Sequence, residues 1–207
     1  MTIRGMMEDR AFHEEILRNL NPDHVNERWS QVRHLGNVAS VELEIGELLY
    51  SLIRSLKPEV VLETGTNRGF SGAMIAQALR ANNHGHLYTV DVKDYGAASL
   101  FNRFNLSGRI TCLTGWSVPA IQKLRYKLKA VDFLWLDSGH DVATVLGEFE
   151  AALPLLKPGS YVAFHDAGHI ATEEQAVKEI RRRYPAWEYI RFSSSRGLDL
   201  MRFQQGG

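Results

Sequence analysis

Apolar residues return along this chain with two different periods. Between residues 8 and 57 they recur every three or four positions: Phe12, Ile16 and Leu20, then Val25, Trp29 and Val32 after the break Asn21-Pro22-Asp23, then Val41, Ile45, Leu48, Leu49, Leu52, Ile53 and Leu56. That spacing predicts helices, the third capped by Ser40 and stopped at Lys57-Pro58, because the residue before a proline is driven out of the α region. From residue 60 the pattern changes. Short apolar runs at 60–64, 86–91, 110–115, 131–137 and 160–165 alternate with helical patterns near 71–81, 97–105, 118–128 and 141–156. The runs are too short for helices and several are almost continuously apolar, as in strands covered on both faces. The helix after the first strand carries Met74, Ile75, Ala78 and Leu79 on one face. Lys157-Pro158-Gly159 reads as a turn before the fifth strand. Thr172-Glu173-Glu174-Gln175 reads as a capping box that opens a helix ending near Arg183. Two more runs, Trp187–Phe192 and Leu198–Phe203, are joined by Ser193-Ser194-Ser195-Arg196-Gly197, a hairpin signal.

Strands alternating with helices predict an α/β fold, here a mostly parallel seven-stranded sheet with helices on both faces and a terminal antiparallel hairpin. Residues 1–57 are expected to form a helical cover and 58–207 the core of one compact domain. At 207 residues the chain can bury a sizeable core. Lys plus Arg and Asp plus Glu both number 24, so no overall basic field points to nucleic acid. Arg181-Arg182-Arg183 is the one basic cluster and fits a solvated helix end. The single cysteine, Cys112, lies in a strand and is expected in the core; alone it excludes an internal disulfide. The polar N-terminus and the lack of a long apolar stretch point to a cytoplasmic protein without membrane attachment. The tail Gln204-Gln205-Gly206-Gly207 reads as frayed.

Chemistry collects where strands end, which is where open α/β sheets bind ligands. The first strand runs into Glu63-Thr64-Gly65-Thr66-Asn67-Arg68-Gly69-Phe70-Ser71. Its spacing, E-x-G-x-x-x-G, is neither that of dinucleotide binders nor that of phosphate loops. Glycines there let the backbone turn tightly, and the next helix aims its amides back at the turn, a place for an anion or a polar cofactor tail. The second strand ends in Asp91, a carboxylate able to accept from ribose hydroxyls. The third ends in Gly115-Trp116-Ser117, the fourth in Asp137-Ser138-Gly139-His140-Asp141, the fifth in His165-Asp166-Ala167-Gly168-His169. Each also has an ordinary reading: Asp137 and Asp166 as helix caps, His140 as a loop histidine, His165 as a side chain of the core or beneath the site, Trp116 as packing.

Taken in order, these motifs resemble the small-molecule O-methyltransferases related to catechol O-methyltransferase, over residues 41–203, and within them the branch known as methyltransferase family 24. The resemblance implies a class I, Rossmann-like fold, S-adenosyl-L-methionine (SAM) as cofactor and a small-molecule acceptor; a homodimer is compatible with it. It implies that Glu63, Gly65, Thr66, Gly69 and Ser71 form the cofactor's glycine loop, with Ser71 at its carboxylate. Asp91 falls at the ribose, Trp116 and Ser117 at the adenine, and Asp137 at the cofactor and the first metal-binding aspartate. His140 stands where catechol O-methyltransferase has its catalytic lysine, and is the candidate base; Asp137 or Asp141 could orient it. Asp166 falls on the second metal-binding aspartate, but Ala167 replaces a metal-binding asparagine. A divalent ion would then need Asp137 and Asp166 with a histidine such as His169 or with substrate oxygens, a mixed set suited to manganese, iron or zinc. Trp29 and His34, in the N-terminal helices, read as packing or surface residues, although in the related enzymes such helices cover the substrate. The rivals are a noncatalytic SAM-binding protein and another enzyme on this scaffold, such as an aminopropyl transferase or a hydroxylase-like relative; the glycine spacing argues against a nicotinamide oxidoreductase.

Overall fold

The computed structural model describes residues 41–194 and 196–204. The expected helices before residue 41, with Trp29, His34 and the Ser40 cap, lie outside the described residues, as do the last three residues. Helix α1 (Leu43–Leu56) leads into β1 (Val60–Thr64), α2 (Phe70–Asn82), β2 (His86–Asp91), α3 (Ala97–Arg103) and β3 (Ile110–Thr114). Then follow α4 (Ser117–Leu124), β4 (Val131–Leu136), α5 (Val142–Ala152), β5 (Leu156–His165), α6 (Ala171–Arg183), β6 (Glu188–Phe192) and β7 (Leu198–Arg202). The strands form one sheet in the order β3-β2-β1-β4-β5-β7-β6, and only β7 runs antiparallel to its neighbours.

The near-continuous apolar strands are explained by the two faces they serve. Val61, Leu87, Phe133, Trp135 and Ala163 point to one side, into a cluster with α1 and α2. Leu62, Leu134, Leu136, Val162 and Phe164 point to the other, into a cluster with α4, α5 and α6. The period of two is present but hidden, since both faces are buried. Helix α2 is likewise buried on every side from Phe70 to Leu79, not along the single stripe its sequence suggests. The reason is α1, which lies over α2: Gly46 leaves room for the Phe70 ring, and a Cβ there would sit 3.1 Å from it. Arg54 donates to Asn82 Oδ1 at 2.8 Å and Asn82 donates back to the Ile53 carbonyl at 2.9 Å, locking the two helix ends together. As expected, α1 stops at Lys57, which turns left-handed before Pro58.

Three local readings are corrected. Lys157-Pro158-Gly159 lies inside β5, where the pairing with β4 slips between Val131 and Phe133; Ser160 bridges the slip by donating to the Val131 carbonyl at 2.6 Å. Thr172 does not cap α6; Ile170 is the cap, and the Thr172 hydroxyl donates to the His140 carbonyl at 2.6 Å. Cys112 is exposed, because β3 is an edge strand whose outer positions α3 is too short to cover. The arginine cluster behaves as expected of a solvated helix end: Arg182 and Arg183 pair with Glu179, and Arg181 lies over the Tyr189 ring. No helix among the described residues is long and apolar enough to cross a membrane.

Candidate active site

The chain begins its sheet in the middle, winds out to β3, then returns to start β4 on the other side of β1. That reversal opens a crevice beyond the carboxyl ends of β1 and β4. A cleft of about 880 Å³ occupies it, within the range of cofactor and substrate sites. Gly65, Thr66, Ser71, Asp91, Trp116, Ser117, Asp137 and His140 all line it.

Gly65 makes the turn out of β1. Its φ is +88°, and a Cβ would fall 1.9 Å from the Asp137 carbonyl oxygen, so no other residue fits. The amide of Asn67 then donates to Asp91 Oδ2 at 2.7 Å, which fixes the carboxylate at the cleft wall. Thr66 turns its hydroxyl inward to Thr89, 2.6 Å away. Two expected cofactor residues, Glu63 and Gly69, stand behind the lining rather than in it. Gly69 is held against Phe101, whose ring would meet a Cβ at 2.8 Å. Glu63 is fully buried and accepts from the Ser71 hydroxyl at 2.5 Å. Burial lifts its carboxyl from 4.5 to about 7, although Ser71 and Thr89 pull it down. Its contact with the cleft is therefore indirect, through Ser71.

On the far wall, Gly115 adopts φ +147° with open space at its Cβ position, and Trp116 stands at the rim 75% exposed. The room at Gly115 and the exposed indole face suit a flat ring. The cleft thus offers a carboxylate for ribose hydroxyls, helix α2's N-terminal turn with Ser71 for a carboxylate, and a place for adenine, so the residues present fit SAM.

A titratable cluster closes the inner end. His140 lies with Nε2 3.5 Å from Asp166 Oδ2 and Nδ1 3.5 Å from Glu173 Oε2. Asp141, a candidate to orient it, is instead the cap of α5 and accepts from the Thr144 amide at 3.0 Å. Glu173 holds His140 above its usual 6.5 despite partial burial, while burial pushes Glu173 itself up to about 7. Beneath them, His165 is buried and bonds Glu42 Oε2 at 2.7 Å and Asp137 Oδ1 at 3.1 Å. Burial opposes charge on this imidazole, but the carboxylates of Asp137, Asp166 and Glu42 outweigh it and raise it to about 11. Both ring nitrogens then act as donors. Asp166 is buried with φ +62°, and its two oxygens face the Arg196 guanidinium: Nε is 2.5 Å from Oδ1, off the hydrogen-bond direction, and Nη2 donates to Oδ2 at 2.6 Å. Against the cost of burial, His165 and Arg196 bring Asp166 down to about 2.

Asp137, His140 and Asp166 offer three ligand atoms within 4.8 Å of one another. His169 is exposed and stands outside this group. The group as arranged suits a guanidinium better than a divalent ion, since Arg196 already faces both oxygens of Asp166 and Ala167 brings no side-chain donor. Sequence reasoning passed over Arg196, Glu42, Glu173 and Glu148. Glu148 is buried under the cleft and accepts from Thr64 at 2.9 Å and Ser138 at 2.5 Å. The signal was available: Glu148 shares the inward stripe of Val145, Phe149 and Ala152.

Residues 62–167, just over half of the chain, match the family model described as a methyltransferase domain, that of methyltransferase family 24. The chain belongs to this family. No curated protein matches it in sequence. Among solved structures, this methyltransferase is similar to the O-methyltransferase TomG of Streptomyces achromogenes in complex with SAM, at 20% identity and a TM-score of 0.70, over 87% of this chain and 91% of that one. It is similar to the Bacillus cereus O-methyltransferase in complex with S-adenosylhomocysteine (SAH), at 19% identity and a TM-score of 0.69, over 92% and 96% of the two chains. A putative caffeoyl-CoA O-methyltransferase of Staphylococcus aureus aligns at 17% identity and a TM-score of 0.69, over 93% of this chain and all of that one. These likenesses establish the fold: a Rossmann-like methyltransferase sheet with a terminal hairpin.

Proposed function

We propose that this methyltransferase uses SAM and methylates a hydroxyl oxygen of a small molecule. One observation carries the reading: the Gly65 turn, Ser71 and Asp91 line the same cleft as His140, so a cofactor site and a titratable group share one space. The SAM and SAH bound by TomG and the Bacillus cereus enzyme support the choice of cofactor.

When bound, the cofactor supplies an electrophilic methyl group on a sulfonium. Asp91 accepts from the ribose hydroxyls. The first amides of α2, that of Ser71 among them, would receive the carboxylate, the Ser71 hydroxyl being already committed to Glu63, and Gly115 would leave room for the adenine beside Trp116. Asp137, just past β4, lines the cleft and would be the carboxylate available to the cofactor's amino group and to the acceptor. His140 takes the acceptor's proton through a neutral imidazole nitrogen, and Glu173 holds the ring. His140's neighbours favour its charged form, so the competent fraction grows as pH rises.

Calorimetry tests the cofactor. SAH is expected to bind in preference to NADH, and Asp91→Ala to weaken SAH by about 1.5–3 kcal/mol, the loss of charged hydrogen bonds to the ribose. Tight NADH binding without detectable SAH binding refutes the reading.

A further inference from the structure

Two carboxylates that end adjacent strands repel one another unless cations stand beside them. In this protein His165 lies between the two, 3.1 Å from Asp137 and 3.4 Å from Asp166, and Asp166 has a second cation beside it. Asp137 accepts from His165 Nδ1 at 3.1 Å, and Asp166 is met by Arg196 through Nε at 2.5 Å and Nη2 at 2.6 Å. The second pairing is built into the backbone. The Arg196 amide donates to the buried Glu42 Oε1 at 2.9 Å, and the Arg196 carbonyl accepts from the Gly168 amide at 3.0 Å. Gly197, at φ +82°, lets the hairpin loop approach so closely that a Cβ would lie 2.4 Å from the Gly168 nitrogen. Arg196 and Gly197 are thereby pinned to the loop after β5, and Arg196 reaches Asp166 from a residue held at both its amide and its carbonyl. Its side chain is 29% exposed and lines the cleft.

A divalent ion at Asp166 would have to displace this guanidinium or sit against it, in like-charge contact beside a buried carboxylate. Beyond Asp137, His140 and Asp166 it would find no further ligand in the side chain of Ala167, and water would have to complete its shell.

We propose that Arg196 is the resident cation of the transfer site, standing on Asp166 where a divalent ion would have to bind, so that methyl transfer by this chain is metal-independent. The inference rests on the SAM-dependent reading above. The chemistry balances without an ion: the acceptor's O–H proton passes to His140, an oxygen lone pair forms the O–CH3 bond, and the S–CH3 pair returns to sulfur as a neutral thioether.

The test is manganese binding by electron paramagnetic resonance, with and without SAH, beside calorimetry of SAH binding with and without EDTA. Wild-type protein is expected to bind no Mn²⁺ at millimolar concentration and to bind SAH with an affinity that EDTA changes by less than about twofold. Arg196→Ala is expected to bind Mn²⁺ at least about tenfold more tightly than wild type, once the like charge is gone. Arg196→Lys, which keeps the charge, is expected to exclude it still, and SAH binding by both variants reports that they are folded. One Mn²⁺ per wild-type chain, lost in Asp166→Asn, overturns the proposal and leaves the SAM reading standing. An Arg196→Ala protein that binds SAH but gains no Mn²⁺ also overturns it. Failure of SAH to bind under any metal condition strikes the SAM reading itself.

Discussion

Glu63 lies under the cofactor turn as a wholly buried carboxyl with one oxygen bonded to Ser71 and the other, Oε2, without a directed partner. Burial raises it from 4.5 to about 7, and the nearby Asp137 and Asp91 add to the rise. A group that holds its proton more tightly when folded contributes stability that is complete below its unfolded midpoint of 4.5 and is lost as pH climbs through about 7. A midpoint moved that far is worth about 3 kcal/mol. Glu63→Gln keeps the shape and leaves a carbonyl to accept from Ser71, but it cannot ionise. The variant and wild type should therefore unfold alike at pH 4. Their difference should grow between pH 5 and 7, until at pH 8 the variant is the more stable by up to about 3 kcal/mol, or roughly 5–10 °C in midpoint for a domain of this size. Thermal and urea unfolding of both proteins across pH 4 to 8 measures this. A difference that does not change with pH, or a variant less stable at pH 8, refutes the assignment of Glu63 as a buried carboxyl that resists ionisation. SAH affinity should change little, since the link to Ser71 survives.

His140→Ala should lose about 10²–10⁴-fold in methyl transfer while SAH binding stays near wild type; a variant with near-normal turnover assigns the proton to another group. The wild-type rate, followed as label passing from SAM to acceptor, should rise with pH through a midpoint above the ordinary 6.5, because Glu173 and Asp166 favour the imidazolium; a rate that falls over that range contradicts a neutral imidazole base. Gly65→Ala drives a Cβ into the Asp137 carbonyl at φ +88° and should cost at least about 1–3 kcal/mol of stability together with most SAH affinity; a variant that binds SAH normally would show that the turn can relax.

What the sequence made legible is what repeats or what a turn requires. The short apolar runs placed the inner strands, because a strand such as β4, buried on both faces, has little room for polar side chains; β3 and β6, with exposed positions, were placed by their spacing between helix and turn signals. The glycine turn after Glu63 was legible because Gly65 has no substitute against Asp137. Cys112 was misread because edge position is a property of strand order, and nothing within Ile110–Thr114 tells β3 that it is outermost among the described strands. Thr172 was misread because its hydroxyl had a distant alternative, the His140 carbonyl, that a local capping pattern cannot register.

The charges around the inner end of the cleft failed to show for a related reason. Glu42 meets His165 and Arg196 across separations of 123 and 154 residues. In the sequence Glu42 is one acid at the start of a helix, and Arg196 one arginine in a serine-rich loop. Only the fold shows that four carboxylates, Glu42, Asp137, Asp166 and Glu173, surround His140, His165 and Arg196. Acids outnumber bases in that set, and this explains why both histidines favour their charged forms while burial keeps the proton on Glu173. The balance belongs to the assembly rather than to any member. Removing Arg196 therefore does more than delete one contact: it leaves these four carboxylates with His140 and His165 but without the guanidinium, and that shortfall of positive charge is what should draw in a metal ion the native site excludes.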